Sequence, residues 1–233
     1  MPVFRLIDEE LNFPPAELAD HYGRLAVGGD LSSERLLLAY RSGLFPWYNE
    51  GEPIVWWSPD PRFVLFPENL KVAKSMRPIF NQQKFDYTFD QEFESVMLAC
   101  RELRAVEKGG DGSWITDEML AGYVRLHELG YAHSVEVWQD KKLVGGLYGI
   151  SLGKVFFGES MFAYVSNASK AGFITLVRIL TAQGFWLIDC QQETRHLQSL
   201  GGCSIPRHLF LEIMEKNEKE ETLIGNWGEQ LMR

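Results

Sequence analysis

The sequence predicts an α+β protein in two parts, a small N-terminal α+β domain over residues 1–62 and a larger mixed domain over residues 63–233. Three observations carry that expectation. The first sixty residues are rich in Pro, Gly and Trp and hold one clear helical pattern. Pro59 and Pro61, on either side of Asp60, stiffen the chain and disfavour helix, which marks a boundary near residues 60–64. Beyond residue 63, short apolar or alternating segments trade places with helix-period segments. At 233 residues, 45% hydrophobic and 24% charged, the chain can bury a full core, and disorder is not the expectation.

Taken in order, the first helix is capped by Ser32, ended by Gly43, and carries Leu36, Leu37 and Tyr40 inward. Phe45-Pro46-Trp47 and Trp56-Trp57-Ser58-Pro59-Asp60-Pro61 follow, and their three tryptophans suit either a core plug between the two parts or a wall for stacking ligand rings. Phe63-Val64-Leu65-Phe66 and Phe85-Asp86-Tyr87-Thr88-Phe89 are expected strands. A helix from Asp90 buries Phe93, Val96, Met97 and Cys100, and another starts at Thr116, with Asp117 and Glu118 favourable to its dipole, and stops at Gly130. A strand from His133 to Trp138 turns through Asp140-Lys141 into a second, Leu143 to Ile150. After Ser151-Leu152-Gly153-Lys154 comes a third, Val155-Phe156-Phe157-Gly158-Glu159. A helix from about Asn167 to Ala182, a buried strand Phe185-Trp186-Leu187-Ile188-Asp189-Cys190 and two short helices complete the reading. The charged run from Glu215 to Glu221 reads as a solvated helix end or a fraying tail.

Composition excludes several function classes. Cys100, Cys190 and Cys203 are odd in number and widely spaced, which offers neither a disulfide framework nor a zinc knuckle, and His127 and His133 lack the spacing of two ligands on one helix face. No metal is expected. The longest apolar runs fall far short of the roughly 20 residues that span a bilayer. The N-terminus turns acidic at once instead of leading from basic to apolar, so a cytoplasmic protein without a membrane partner is expected. A monomer is expected as well. A formal charge of −9 repels a polyanion overall, and nucleic acid must dock on a local patch. Lys71, Lys74 and Arg77, spaced by three, would form such a stripe on a helix, with Lys84 just beyond; a merely solvated helix face explains them as well.

Two carboxylates invite chemistry. Asp189 ends an apolar strand two residues before Gln191, so alternation places the two side chains on one face. There a carboxylate can orient and polarise the amide, whose oxygen then accepts a proton from an attacking amine. The alternative is that Asp189 caps the helix that follows. Glu159 follows Gly158 in an aromatic strand, where the glycine marks a bulge or a close ligand approach. An acid there needs a partner, either a substrate cation or an internal pair with Lys170 or Arg195. Alternation turns the Cys190 thiol away from Asp189 and Gln191, which argues against a thioester mechanism.

The order of antiparallel meander, helix, strand and helix resembles the GCN5-related N-acetyltransferase fold, in which two central strands splay and hold an acyl carbonyl. The stretch Tyr164-Val165-Ser166-Asn167-Ala168-Ser169-Lys170 lacks the glycines of a coenzyme A pyrophosphate turn, and no Gly-x-x-x-x-Gly-Lys-Ser/Thr loop is present, so the acyl group should arrive already activated. Eight ordered blocks then resemble the bacterial leucyl/phenylalanyl-tRNA–protein transferases. They are Gly28-Gly29-Asp30-Leu31, Gly43-Leu44-Phe45-Pro46-Trp47, Trp56-Trp57-Ser58-Pro59-Asp60-Pro61-Arg62, Ser113-Trp114-Ile115-Thr116, Leu126-His127-Glu128-Leu129-Gly130, Gly158-Glu159-Ser160-Met161-Phe162, Asn167-Ala168-Ser169-Lys170 and Leu187-Ile188-Asp189-Cys190-Gln191.

That resemblance implies an enzyme of acyltransferase-like fold that moves Leu or Phe, and less readily Met, from aminoacyl-tRNA onto proteins beginning with Arg or Lys. The transfer creates a degradation signal and uses no cofactor. It further implies that Asp189 orients Gln191, that Gln191 assists proton removal, and that Glu159 holds the cation or amine of the acceptor. Trp47 and Trp114 would frame the terminal adenosine of Leu-tRNA or Phe-tRNA. Leu147, Phe156, Met161 and Leu176 would line the side-chain pocket, and Lys71, Lys74, Arg77 and Lys84 would meet the tRNA backbone.

Overall fold

The computed structural model describes residues 3–107 and 113–231, so Met1 and Pro2 of the acidic start lie outside it. The chain runs through β1 (Phe4–Leu6), β2 (Arg24–Gly28), α1 (Ser33–Arg41), β3 (Phe45–Pro46), β4 (Val55–Trp57), β5 (Arg62–Leu65), α2 (Arg77–Asn81) and β6 (Asp86–Phe89). It continues with α3 (Phe93–Glu107), α4 (Asp117–Glu128), β7 (Ala132–Gln139), β8 (Lys142–Leu152), β9 (Val155–Ala163), α5 (Ala168–Ala182) and β10 (Leu187–Gln191). Then come α6 (Arg195–Ser199), β11 (Cys203–Ile205), α7 (Arg207–Asn217) and α8 (Trp227–Leu231). This is the α+β class the patterning predicts. Four strands form a small sheet in the order β1-β2-β4-β3, and seven form a large one in the order β11-β5-β10-β9-β8-β7-β6.

The large sheet is a meander through β9. Asp140 and Lys141 both take positive φ, 50° and 63°, the turn whose twist suits a two-residue hairpin between β7 and β8. Alternation along β8, shifted by one at the Val144 bulge, then divides its side chains. Tyr148, Ile150 and Leu152 join the core beneath α3 and α4, whereas Val144 and Leu147 join the core beneath α5. With helices on both faces, β8 is buried from Val144 to Leu152.

The pairing between β9 and β10 creates the site. These strands run parallel only from Leu187↔Val155 to Asp189↔Phe157. Beyond Phe157, β9 stays with β8 while β10 stays with β5, to which it is paired from Ile188 and where Gln191 faces Phe63. Each strand carries an extra residue at the parting. Glu159 is the bulged residue between Gly158 and Ser160, which face Gly149 and Tyr148, and Cys190 is the bulged residue between Asp189 and Gln191, which face Val64 and Phe63.

Several sequence expectations are refined. The helix expected from Asp90 starts at Phe93, because Asp90, at φ 57°, is buried as an acceptor for Ser134 N, Trp227 N and His133 Nδ1. The single helix that would align Lys71, Lys74 and Arg77 is absent: residues 71–73 are irregular, a 3₁₀ turn spans Lys74–Met76, and α2 starts at Arg77. All three remain exposed, as does Lys84. The tryptophans divide between the two readings, since Trp56 is a buried plug whose Nε1 donates to Gly28 O while Trp47 is 37% exposed. The charged run after Glu215 is a solvated helix end and not a fraying tail. Asn217 within it is buried, accepts from Lys154 N and donates to Leu152 O, and the chain goes on to bury Trp227.

The parting depends on the absence of a side chain opposite it. A Cβ on Gly149 would lie 2.2 Å from Phe157 O and 2.6 Å from the Phe156 ring. Gly149→Ala should therefore lower stability by about 1–3 kcal/mol, the usual cost of overpacking. Urea denaturation checks this, and an unchanged midpoint would contradict it.

Candidate active site

Asp189, in β10, and Arg62, which opens β5, have fully buried side chains. Arg62 Nε donates to Asp189 Oδ1 at 2.8 Å and Nη2 to Oδ2 at 2.6 Å, while Nη1 donates to Gly43 O at 3.2 Å. The guanidinium lies over the rings of Phe45 and Phe210, 4.8 and 4.4 Å from their centroids. Two charges tolerate such burial only when their hydrogen bonds are well made, and the planar two-pronged fit supplies that.

Asp189 Oδ1 also accepts the main-chain N–H of Gln191 at 3.0 Å. The shared face that alternation predicts for Asp189 and Gln191 is lost at the Cys190 bulge, and Gln191 takes a left-handed φ of 61°. Asp189 consequently points at Arg62 and is absent from the cavity wall, whereas Gln191 and Cys190 line it. The expected turn of the Cys190 thiol away from Gln191 fails for the same reason, since both residues line the cavity, while Asp189 faces elsewhere. Burial and the neighbouring Asp189 charge push its thiol far above the usual range, which leaves it protonated and poorly nucleophilic.

Across the parting, Glu159 accepts from Gln191 Nε2 at 2.8 Å, from Tyr40 OH at 2.8 Å and from Tyr123 OH at 3.1 Å. The two tyrosine oxygens are also in hydrogen-bond contact with each other, and because each carries one proton, all three contacts are filled together only when a protonated Glu159 supplies the third. Its partners are thus three neutral donors in place of the internal pair with Lys170 or Arg195. Burial is the largest influence and pushes the Glu159 carboxyl up to about 7; the three hydrogen bonds pull it down, and the Asp189 charge raises it. Burial, then the Glu159 charge, holds Tyr40 and Tyr123 well above the ordinary phenol range, so both stay protonated.

The helices bring these hydroxyls in. Ser32 Oγ caps α1 by accepting Arg35 N, Thr116 Oγ1 caps α4 by accepting Met119 N, and Gly122 lets α4 approach Leu31, where a Cβ would lie 3.1 Å from its carbonyl oxygen. Sequence reading missed Tyr123 altogether and saw Tyr40 only as core. A buried phenol must find a hydrogen-bond partner, which is the one signal that could have marked them. Arg62 stood in a recognised block without a role, and nothing local points to a partner 127 positions away.

A cavity of about 550 Å³ opens from this network. Trp47, Trp114, Leu147, Phe156 and Met161 line it, together with Glu159 and Gln191. Leu176 does not; it is buried in the core below α5, and Phe173 stands on the wall instead. Trp47 is fixed by its own N–H to Val55 O and by Trp57 Nε1 to its carbonyl, which leaves its ring at the mouth. A second cavity of about 580 Å³ shares Trp47, Gln191 and Gln192 with the first and is walled further by Trp57 and Tyr22. Lys71, Lys74, Arg77 and Lys84 line neither cavity. Lys71 N is tied to Leu200 O, beside α6, which contributes His196 and Leu197 to the first cavity's wall.

Comparison with known proteins matches residues 64–215 to the family described as leucyl/phenylalanyl-tRNA protein transferase and residues 29–60 to the N-terminal domain of that family. The chain is 54% identical over 227 residues to the leucyl/phenylalanyl-tRNA–protein transferase of Syntrophobacter fumaroxidans, covering 97% of this chain and 96% of that one. It is 57% identical over 210 residues to the protein of the same name from Christiangramia forsetii, covering 89% and 98%. Among solved structures it is similar to an aminoglycoside acetyltransferase from an uncultured soil sample, 12% identical with TM-score 0.38 over 61% of this chain and 94% of that one. It is also similar to L-PGS of Bacillus licheniformis, 14% identical with TM-score 0.37 over 71% and 51%. Likenesses that loose support no argument.

The raised carboxyl of Glu159 carries a signed consequence for stability. With a pKa of 4.5 unfolded and about 7 folded, the native state holds the extra proton between those values. Stability is therefore expected to fall as pH rises from about 4.5 to 7 and to lose nothing more from this group above that. Relative to Glu159→Gln, the wild-type melting temperature should decline across that window and then run parallel. Parallel curves over the whole range would contradict the assignment.

Proposed function

The chain belongs to the leucyl/phenylalanyl-tRNA protein transferase family, and on that premise we propose that it transfers Leu or Phe, less readily Met, from aminoacyl-tRNA to proteins that begin with Arg or Lys. The observation that supports this reading best is the meeting of Glu159 and Gln191 in the gap between β9 and β10, above an apolar cavity. On this reading Leu147, Phe156 and Met161 receive the aminoacyl side chain, with Phe173 on the wall and Leu176 behind the lining. Trp47 and Trp114 flank the terminal adenosine, where stacking contributes about 1–3 kcal/mol per base. Lys71, Lys74, Arg77 and Lys84 meet phosphates beside α6. The acceptor chain reaches the same amide from the second cavity, past Trp57. The cytoplasm is the proposed compartment, and no described helix is long and apolar enough to cross a membrane. The family's two matched segments fit a division into domains at residues 1–62 and 63–233.

The reaction joins the acceptor nitrogen to the ester carbonyl carbon and breaks the bond from that carbon to the ribose oxygen. The cationic amine first gives up one proton to solvent; as the free amine attacks, a second proton leaves the nitrogen and one joins the departing ribose oxygen, so during the transfer itself the site needs only to pass that proton between them. A carboxylate accepts and never donates, so Gln191 turns its amide N–H to Glu159 and keeps its amide oxygen for the incoming amine. Glu159, poised near neutrality, first balances the cationic amine and then takes and returns the proton. Asp189 acts behind Gln191, holding its main chain. Because the ester is already activated, neither ATP nor coenzyme A enters.

The test mixes the protein with labelled Leu-tRNA and peptides starting with Arg, Lys or Ala. Transfer to the two basic peptides is expected, and acetyl transfer from coenzyme A with no tRNA-dependent product would overturn the reading. Glu159→Gln should raise the KM for the Arg peptide about tenfold, equivalent to about 1.4 kcal/mol. An unchanged KM would remove Glu159 from acceptor binding.

A further inference from the structure

We propose that Arg62 is a positioning residue for the transfer reaction: it locks Asp189, which in turn holds the Gln191 main chain so that the Gln191 amide meets Glu159 and the reacting ester. The proposal rests on the reaction proposed above. Three features of the geometry lead to it. First, the Asp189 carboxylate is fully engaged away from the cavity, with Oδ1 accepting from Arg62 Nε and Gln191 N and Oδ2 accepting from Arg62 Nη2. Asp189 does not line the cavity, so its effect on the chemistry passes through the Gln191 main chain. Second, Gln191 holds a φ of 61° just after the Cys190 bulge, a region that residues with a side chain occupy only when their surroundings impose it. The bond from Gln191 N to Asp189 Oδ1, at 3.0 Å, imposes it here. Third, Arg62 cannot swing. Its guanidinium is held between the rings of Phe45 and Phe210 and by Gly43 O.

The Phe45 and Gly43 contacts tie this positioning to the stretch from Gly43 through β3, which leads directly into Trp47 at the cavity mouth. One guanidinium therefore sets both the reacting amide and a wall of the donor site. Lysine at this position keeps the charge but cannot supply two parallel N–H donors in one plane, so it separates pairing from mere neutralisation.

The experiment measures transfer kinetics for Arg62→Lys in the wild-type chain and in a Gln191→Ala background, together with the NMR resonance of the Gln191 side-chain amide. In the wild-type chain kcat is expected to fall on the order of 10²-fold, the scale of a small misplacement of a reacting group. Each KM should stay within about twofold, and in the Gln191→Ala background the further loss of kcat should stay below about twofold, because Arg62 would act through the group already removed. The Gln191 amide resonance should move towards that of a free amide. Wild-type kcat in a folded Arg62→Lys protein, or an equal further loss without the Gln191 side chain, would overturn the proposal.

If Arg62→Lys fails to fold, removing the pair together as Arg62→Leu with Asp189→Leu leaves no unpaired buried charge, and the same non-additivity is expected. Wild-type turnover in that variant would also overturn it. If the wild-type protein makes no product from Leu-tRNA, the reaction itself is wrong. The Gln191 resonance still decides the positioning, since an unmoved signal in Arg62→Lys overturns it.

Discussion

The ion pair between Arg62 and Asp189 sits where the molecule's two sheets, its parting strands and its cavity come together. An arginine and a carboxylate removed from water lose several kcal/mol of solvation each, and only a planar two-pronged contact with every remaining donor and acceptor placed makes such a pair tolerable. Here the other acceptor capacity is taken by Gln191 N and the other donor by Gly43 O, so the pair reaches in both directions along the chain. The point at which β10 leaves β9 while keeping to β5 is thereby pinned to the segment that leads into the small sheet. Breaking the pair would loosen all of these at once, which separates it from an ordinary surface salt bridge.

The parting of β9 and β10 has a second device, the paired bulges at Glu159 and Cys190. A regular parallel ladder would continue past Phe157 and seal the gap with backbone hydrogen bonds. Two extra residues and the bare backbone of Gly149 prevent that, and each bulge re-aims a functional side chain. The result is an acid held near neutrality by burial and softened by three neutral donors, facing an amide fixed from behind. Preorganised polar groups in a partly dry gap need little rearrangement when a proton moves, which is the general advantage of such sites.

Much of this could be read from the residues. Ser32 and Thr116 signalled their helices, Asp140-Lys141 its hairpin, and Gly158 a bulge, because capping, turn and glycine chemistry are local. Glu159 was legible as an acid out of place on an apolar strand. Alternation, the rule that placed Asp189 and Gln191 on one face, failed because a bulge shifts the count by one residue, and neither Cys190 nor its neighbours announce it. Arg62, Tyr40 and Tyr123 were illegible as site residues because their partners lie 127, 119 and 36 positions away. Leu176, placed at the side-chain pocket only by the resemblance, is buried in the core and absent from the cavity lining, because a likeness in motif does not give depth. The lysine and arginine spacing between Lys71 and Arg77 looked helical, and irregular backbone before Lys74 broke the stripe.

The central claim is that acyl transfer takes place in the gap between β9 and β10, with Gln191 and Glu159 at the reacting centre. A crystal structure with a hydrolysis-resistant leucyl-adenosine, its ester replaced by an amide, tests that most directly. The account predicts the leucyl carbonyl in the gap within hydrogen-bonding distance of Gln191, the side chain against Leu147, Phe156 and Met161, and the adenine beside Trp47 and Trp114. A carbonyl bound away from the gap, with the contact between Gln191 and Glu159 untouched, would contradict it.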